Sequence, residues 1–414
     1  MSGLIRAACL ACSQERRDWA SPPRLSVFSP KSGSGSAIWL RFGEGSRPRS
    51  VAIVAHRSPV FGLCTDFAGN PETAPPCSYY RHAGAMDHEI RIQMMREKIL
   101  PRALLLNQGK TDRSISREVQ QGYLTRIIPG YFMLRAHWDG LYGEERLLAR
   151  TLVIAHLHRG REIVFSHYSA AVLWGLPLYR HHTGRVHVYT PRERPGRSAG
   201  VVVRHAASLA QEQVESVAGI AVTGLSRTMV DLARLASTEV AVGVADAGLR
   251  KMFRLDHGRV DPAIEDWRGS QLELLDAMPG VRGVRSARKV LEFADPRADS
   301  VAESVSRLQF ARLRVEVDIQ VMVRGADGRR YWLDFKFIGQ AAFGEVDGRS
   351  KYTDEKLLNG QTSHERVLEE KRREDDIRGV TGDRLVRWMP EAIETADRLG
   401  RRMLAFGLRV PALE

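Results

Sequence analysis

In the segment RYWLDFKF, residues 330–337, the positions of Trp332, Asp334 and Lys336 alternate with three apolar residues, Leu333, Phe335 and Phe337. A period of two is typical of a β-strand with one buried face. Gly339 follows and can turn the chain. The mainly apolar residues 341–346 predict a second strand that runs back beside the first and ends before Gly348. The pattern therefore predicts a β-hairpin near the C-terminus.

Two predicted helices and a further strand flank this hairpin. Before it, residues 300–314 carry apolar side chains at helical spacing, and Glu303 lies off that apolar stripe. After it, residues 370–378 form a charged helical run, and the segment RLVRWM at residues 384–389 alternates like a strand. The predicted order is helix, two strands, helix and strand.

The hairpin should bring three carboxylates close together, those of Asp334, Glu345 and Asp347. Neighbouring carboxylates repel one another unless a cation or a proton lies between them. Mg²⁺ is a hard cation that prefers oxygen ligands, so it fits such a group. The sequence therefore predicts a Mg²⁺ site here, and a surface hairpin with solvated carboxylates is the alternative.

The order of these elements resembles the PD-(D/E)XK nuclease superfamily. It is most similar to the endonuclease-like domains related to very-short-patch repair enzymes, whose second strand ends in Glu-x-Asp-Gly, here residues 345–348. The resemblance covers residues 295–414. It implies an α/β/α restriction-endonuclease-like domain that would hydrolyse DNA phosphodiesters with Mg²⁺. The catalytic residues that it implies are Glu303, Asp334, Glu345 and Asp347, and we add Lys351 as a candidate for the lysine of the superfamily pattern.

This sequence departs from the superfamily pattern at one position. The pattern has a lysine two residues after the glutamate, but Asp347 occupies that place here. Lys351 and Lys371 are the candidate replacements. A nuclease-like domain that has lost its activity is therefore the alternative to an active enzyme.

Residues 86–140 predict a winged helix-turn-helix. Helical periodicity runs through residues 87–106 and is interrupted at Pro101. A turn follows, and a short helix at residues 113–121 ends at Gly122. Two apolar segments around Pro129-Gly130 then predict a hairpin. Helices followed by a two-stranded wing are typical of proteins that bind double-stranded DNA.

The exposed positions of the short helix and its wing carry side chains that suit DNA. Arginine and glutamine can contact base edges, and serine and arginine can contact phosphate. The alternative is a winged helix that contacts protein and has solvated arginines. The predicted DNA-binding residues are Arg113, Ser114, Ser116, Arg117, Gln120, Gln121 and Arg126.

Residues 141–252 predict a mixed α/β domain in which short apolar strands alternate with apolar helices. Four of its segments, in this order, resemble the AbiEi-type antitoxins of type IV toxin–antitoxin and abortive-infection systems. Those proteins place an N-terminal winged helix before a domain of this kind, and the resemblance implies a DNA-binding regulator with a cognate toxin protein as partner. The segments are SHYSAAVLWGLPL, VHVYTPR, GIAVTGLSRTMVDLARL and ADAGLR.

Single residues of this domain invite structural interpretations. Ser166 and His167 could suggest a hydrolase triad with Asp231, but the G-x-S-x-G turn of such a triad is missing. Ser166 precedes a predicted helix, so we expect it to cap that helix. Arg227 lies four residues before Asp231, so the pair should form an ion pair on the helix surface. His181 and the histidine after it are expected in a loop.

Residues 1–85 differ in character from the rest of the chain. They are rich in Ser, Pro and Gly, show no sustained period, and contain all four cysteines. Cys9 and Cys12 could form half of a zinc site. We expect either a disordered extension or a wrongly assigned gene start, with the working protein beginning near Met86. Residues 253–294 are expected to form a helical connector.

Composition refines this picture without changing it. The 414 residues are 43% hydrophobic and 27% charged, which predicts a globular protein of more than one domain. A net charge of +13 favours a polyanionic partner such as double-stranded DNA. We expect an α+β protein of the cytoplasm that does not enter the membrane. It would act as a regulator of the antitoxin type, with a DNA endonuclease or a toxin-neutralising interaction protein as alternatives.

Overall fold

The computed structural model divides the chain into two compact units, Met1–Pro76 and Cys77–Glu414. In the first unit, strands β1 (Ala37–Phe42) and β2 (Arg49–Val54) pair antiparallel. The second unit is a mixed α+β structure. The structure describes residues 37–42, 49–54, 78–160, 163–181, 184–190, 198, 200–206, 209–253, 255–256, 259–347 and 363–413.

The second unit begins with helices around a three-stranded antiparallel sheet, in the order β3-β5-β4. Helix α1 starts eight residues before Met86, where we expected ordered structure to begin. The elements are α1 (Ser78–Lys98), β3 (Leu100–Pro101), α2 (Arg102–Asn107), α3 (Asp112–Gln120), β4 (Leu124–Ile128), β5 (Tyr131–Leu134) and α4 (Arg135–Asp139).

Local signals explain why α3 and the β4–β5 hairpin form where the sequence predicts them. The Thr111 hydroxyl accepts the backbone N–H of Ser114 and caps α3. The helix ends at Gly122, whose φ of +78° lies in the left-handed region that favours glycine. Ile115 and Phe132 pack in a small core beneath the helix. The predicted short helix and hairpin are therefore confirmed.

A five-stranded mixed sheet, in the order β8-β7-β6-β10-β9, forms the centre of the second unit. Strands β7 and β8 run parallel, as do β6 and β10, and the other pairs are antiparallel. The elements are α5 (Gly143–Leu157), β6 (Val164–Phe165), α6 (His167–Trp174), β7 (Val186–Thr190), β8 (Val202–Ala206), β9 (Val214–Val217), β10 (Ile220–Thr223), α7 (Leu225–Leu235) and α8 (Thr238–Met252).

Helix α1 is anchored to this sheet region at two points. The His88 Nε2 atom lies 2.8 Å from the carbonyl oxygen of Leu173, at the end of α6. The His88 ring also lies where a side chain at Gly175 would stand, so a glycine is needed there. Eight residues further along α1, Arg96 donates to the carbonyl oxygen of Ala218 at 2.8 Å.

The predicted connector is part of the same core. It contains the short strands β11 (Leu255–Asp256) and β12 (Arg259–Val260), which pair antiparallel. Helices α9 (Ala263–Asp276) and α10 (Val284–Phe293) follow. They bury side chains against α7 and α8, in the large core cluster of the central sheet. Residues 259–293 therefore pack as a layer of the central region.

The last part of the chain has a four-stranded mixed sheet in the order β13-β14-β15-β16. Phe335 and Trp388 pack on one face with Phe310 of α11. Phe343 packs on the other face with Ile377 of α12. The elements are α11 (Val301–Arg312), β13 (Val317–Arg324), β14 (Arg330–Phe337), β15 (Ala342–Val346), α12 (Ser363–Thr381), β16 (Arg384–Trp388) and α13 (Ala396–Ala405).

Helices α8 and α11 join the central sheet region to the C-terminal sheet region. Gly243 of α8 permits close packing, because a side chain there would meet Val301 of α11 at 2.7 Å. One turn further on, Arg307 donates to both carboxylate oxygens of Asp246, at 3.0 and 2.9 Å. Asp246 also accepts the backbone N–H of Asp295 at 2.8 Å. This buried ion pair lies at the centre of the junction.

The longest helices of the described part are strongly charged. Helix α1 has 21 residues and helix α12 has 19, and both carry several Arg and Glu side chains. Within the ranges that the structure describes, no helix combines the length and the apolar composition needed to cross a bilayer.

Candidate functional site

Most of the predicted DNA-binding residues are exposed on α3 and β4. Ser114 differs from the others, because its hydroxyl accepts the backbone N–H of Thr111 at 2.9 Å within a capping box. Arg126 of β4 lies 5.9 Å from the centre of the Phe132 ring. The residues exposed to solvent are Arg113, Ser116, Arg117, Gln120, Gln121 and Arg126.

Neighbouring basic residues neutralise the acidic groups of this surface. Arg102 of α2 forms a 2.5 Å ion pair with Asp112, and Lys110 forms one with Glu118, also at 2.5 Å. Among the residues described, Arg113 and Arg117 form no ion pair. The free charge of the α3 surface is therefore positive, as contact with phosphate requires.

The predicted acidic cluster lies in the hairpin of β14 and β15, but its carboxylates have separate partners. One oxygen of Asp334 accepts the backbone N–H of Val346 at 2.9 Å. Glu345 forms ion pairs with Arg373 of α12, at 2.5 Å, and with Arg387 of β16, at 3.1 Å. The charge of Glu345 is thus balanced by arginines.

The remaining predicted catalytic residues have different positions. Glu303 is buried and accepts hydrogen bonds from Ser300 Oγ, the backbone N–H of Asp299 and Gln320 Nε2, so its carboxylate holds the segment that leads into its own helix. Lys351 lies outside the described residues. Among described residues, no three carboxylates bring ligand atoms within 4.8 Å of one another. The Mg²⁺ site thus stays a prediction.

Three histidines of the central region lie close enough together to hold a metal ion. His167 begins α6, His187 lies on β7 and His205 lies on β8, and a ligand atom of each lies within 4.8 Å of the others. His187 Nδ1 is 2.9 Å from His205 Nε2. The ring of His167 stacks on that of His205 with centroids 3.9 Å apart. We call these three residues the histidine cluster.

The register of the strands places a second polar group beside the histidine cluster. Tyr189 lies opposite His205 across β7 and β8, and its hydroxyl donates to Asp231 at 2.9 Å. Arg227 donates to Asp231 at 2.9 Å and to the Tyr189 oxygen at 2.8 Å. The ion pair that we predicted on a helix surface is therefore present, but Asp231 is only 2% exposed. The surface location was wrong because Tyr189 covers the pair.

The buried serine of this region also differs from the prediction. Ser166 occupies the N-cap position of α6, but its side chain makes no capping hydrogen bond. Its oxygen lies 3.0 Å from His167 Nδ1 instead. His167 itself adopts a φ of +50°, which is unusual for a residue with a side chain. The backbone is thus strained at His167, the residue whose ring it places in the cluster.

Burial keeps the imidazoles of the histidine cluster neutral. Removal from water lowers the pKa of His187 to about 3, and the neighbouring His205 contributes in the same direction. Burial also lowers the pKa of His205, and it lowers that of His167 well below its ordinary value. Each ring therefore offers an unprotonated nitrogen at neutral pH.

These shifts predict acid sensitivity. The folded-state pKa of His187 lies below its unfolded value. Between these two pKa values, His187 is protonated in the unfolded chain and neutral in the folded chain. Stability is then complete above about pH 6.5 and falls as the pH drops towards 3, by about 2 kcal/mol between pH 7 and 5. Urea unfolding at both pH values in a chelating buffer measures this loss. His187→Gln should reduce the loss, and the exposed His137→Gln should not.

Sequence reasoning missed His187, His205 and Tyr189. The signal was present, because polar aromatic residues occupy alternate positions of the segment VHVYT, which otherwise has the composition of a buried strand. What could not be read was the parallel register of β7 and β8, which sets His205 opposite Tyr189. His181, predicted in a loop, follows α6 and stacks on Tyr168.

Comparisons with known proteins give distant relatives. No protein-family model matches the chain. It is similar to the uncharacterized proteins Rv2248 and MT2308 of Mycobacterium tuberculosis, which come from two strains. Each is 27% identical over 228 residues, which cover 54% of this chain and 74% of the relative. Neither name states an activity.

Proposed function

We propose that this protein is a DNA-binding regulator of the AbiEi antitoxin type that acts in the cytoplasm. In this proposal, residues 86–140 form a winged helix, α3 enters the major groove, and the β4–β5 hairpin is the wing. A cognate toxin protein would be its second partner. The DNA site would be read by α3, and the central region would carry the contacts to the toxin.

The observation that carries the proposal is the exposed face of α3. Arg113 and Arg117 project from it without an ion-pair partner among the described residues, and Gln120 is exposed beside them. The acidic residues of the same helix are already paired with Arg102 and Lys110. Unpaired arginines on a helix with neutralised carboxylates are suited to phosphate and to base edges.

A salt titration of DNA binding tests the proposal. Full-length protein should bind a labelled duplex from its own upstream region, with an affinity that falls steeply as salt rises. Arg113→Ala and Arg117→Ala should each weaken binding by about 10-fold and reduce the slope of log K against log salt by about 1. Fluorescence anisotropy at several salt concentrations measures both quantities.

Arg285→Ala is the matched control for these variants. Arg285 is an exposed arginine on α10, away from α3, so its removal subtracts the same charge without touching the proposed surface. Binding should be nearly unchanged in this variant. A wild-type protein that shows no salt-dependent binding would overturn the proposal, and so would equal losses in all three variants.

A Mg²⁺-dependent DNA endonuclease is the second candidate function. The observation that favours it is the pairing of β14 with β15, which puts Asp334 and Glu345 one residue beyond the Phe335–Gly344 pair on adjacent strands. Mg²⁺ in phosphoryl-transfer sites is commonly held by one or two carboxylates together with phosphate oxygens. Two carboxylates would therefore suffice, provided that the arginines of Glu345 turn to the phosphate.

A further inference from the structure

We propose that the histidine cluster of His167, His187 and His205 binds a divalent transition-metal ion of the class of Zn²⁺. Neutral imidazole nitrogens are the preferred ligands of Zn²⁺ and of its neighbours in the first transition row. The site lies in the central region, apart from α3 and from the acidic hairpin. It is independent of the function proposed above.

The spacing of the ligand atoms fits such an ion. His187 Nδ1 and His205 Nε2 are 2.9 Å apart. Two nitrogens bound to Zn²⁺ at about 2.05 Å in tetrahedral geometry would be about 3.3 Å apart. Exchange of the N–H···N hydrogen bond for two metal bonds thus requires the two nitrogens to move slightly apart and the rings to turn so that both nitrogens point at the ion.

His167 supplies the third ligand after a rotation of its ring. It now stacks on His205, with centroids 3.9 Å apart and planes 21° apart, so the two rings do not yet point at one centre. The Ser166 oxygen lies 3.0 Å from His167 Nδ1 and can accept its N–H. That contact leaves Nε2 as the free nitrogen, in the way that outer hydrogen bonds fix the tautomer of metal-binding histidines.

The backbone positions of the ligands are held by rigid elements. The buried hydroxyl of Ser169 accepts the backbone N–H of His187 at 2.9 Å, and Thr151 donates to the same hydroxyl at 3.3 Å. His187 and His205 lie on the paired strands β7 and β8, and His167 lies at the start of α6, which packs on β7. His205 is the most exposed of the three, so an ion would reach the cluster from solvent on the side of His205.

Three histidines leave a fourth tetrahedral position open. A water molecule or a ligand oxygen takes this position in zinc sites of the three-histidine type. The Tyr189 ring lies 5.4 Å from that of His167, and Arg227 reaches the Tyr189 oxygen. Tyr189 and Arg227 are therefore the polar neighbours of the histidine cluster.

Metal titration of the full-length, chelator-stripped and reduced protein tests the proposal. Calorimetry with Zn²⁺ should give one site per chain, and Co²⁺ should produce the visible absorption of a tetrahedral complex without a thiolate band from Cys9 or Cys12. Loss of an outer hydrogen-bond partner lowers metal affinity by about 10- to 100-fold. His205→Gln removes a ligand itself, so it should lower Zn²⁺ affinity by more than that. The exposed His137→Gln should retain the wild-type affinity.

Two further measurements keep the test decisive. Ser166→Ala should weaken Zn²⁺ binding by about 10-fold while leaving the ligands in place. Zn²⁺ should raise the thermal unfolding midpoint of the wild type and not that of His205→Gln. Equal Zn²⁺ affinity in wild type and a folded His205→Gln would overturn the assignment, as would a wild type that gives no tetrahedral Co²⁺ spectrum.

Discussion

Replacement of Arg307 by alanine should destabilise the protein by about 3–5 kcal/mol, the range for breaking a buried ion pair by removing one partner. Arg307 is 11% exposed and its partner Asp246 is fully buried. The variant leaves the Asp246 carboxylate in the junction of α8 and α11 without its cation. Arg307 also donates to the carbonyl oxygen of Phe293 at 2.7 Å, and this contact is lost as well. Urea unfolding at pH 7 measures the effect.

Two comparison variants separate the effect of the unpaired Asp246 carboxylate from the other contacts that Arg307→Ala removes. The double variant Asp246→Asn/Arg307→Met removes both charges with little change in volume, and the Asn oxygen can still accept the backbone N–H of Asp295. It should therefore be more stable than Arg307→Ala. Arg135→Ala breaks an exposed ion pair with Asp139 and should cost less than about 1 kcal/mol. If the double variant is as unstable as Arg307→Ala, the uncompensated charge is not the cause.

Asp334→Asn should abolish Mg²⁺-dependent DNA cleavage if the second candidate function is correct. The substitution removes the charge that would hold the ion and keeps the shape of the side chain. Its amide oxygen can still accept the backbone N–H of Val346, so the hairpin should stay folded. Nicking of supercoiled plasmid with Mg²⁺, and with EDTA in its place, measures the activity. The bound ion would supply several kcal/mol of transition-state stabilisation, and this is lost when the ion loses its ligand.

Asp327→Asn is the control for this experiment. Asp327 lies in the turn between β13 and β14 and pairs with Arg329, so the same chemical change is made in the same sheet away from Asp334. It should cleave like the wild type. Absence of cleavage by the wild type, or equal cleavage by the wild type and Asp334→Asn, would remove the endonuclease from consideration.

The parts of the fold that could be predicted are those whose signals are local. The β14–β15 hairpin follows from the period-2 pattern of residues 332–337 and from the turn at Gly339, which has a φ of +68°. Helix α3 follows from its cap and from Gly122. Each of these signals lies within a few residues of the element that it specifies, so no knowledge of the tertiary structure was needed.

The parts that could not be predicted depend on contacts between distant segments. The helical spacing of Arg227 and Asp231 predicted their ion pair, but its burial depends on Tyr189 of another element. The histidine cluster combines residues 167, 187 and 205 through strand register. The partners of Glu345 come from α12 and β16. A single sequence specifies such contacts only through the whole fold.

The two anchors of α1 have a consequence for the geometry of any DNA complex. His88 and Arg96 hold the helix at points eight residues apart, which is about 12 Å along its axis. A rod fixed at two points cannot pivot, and α1 leads to α3 through only β3 and α2. In a dimer of this chain, the distance between the two α3 helices would therefore be set by the central regions. The operator half-sites would then have one permitted spacing, and an insertion of a few base pairs between them would abolish cooperative binding.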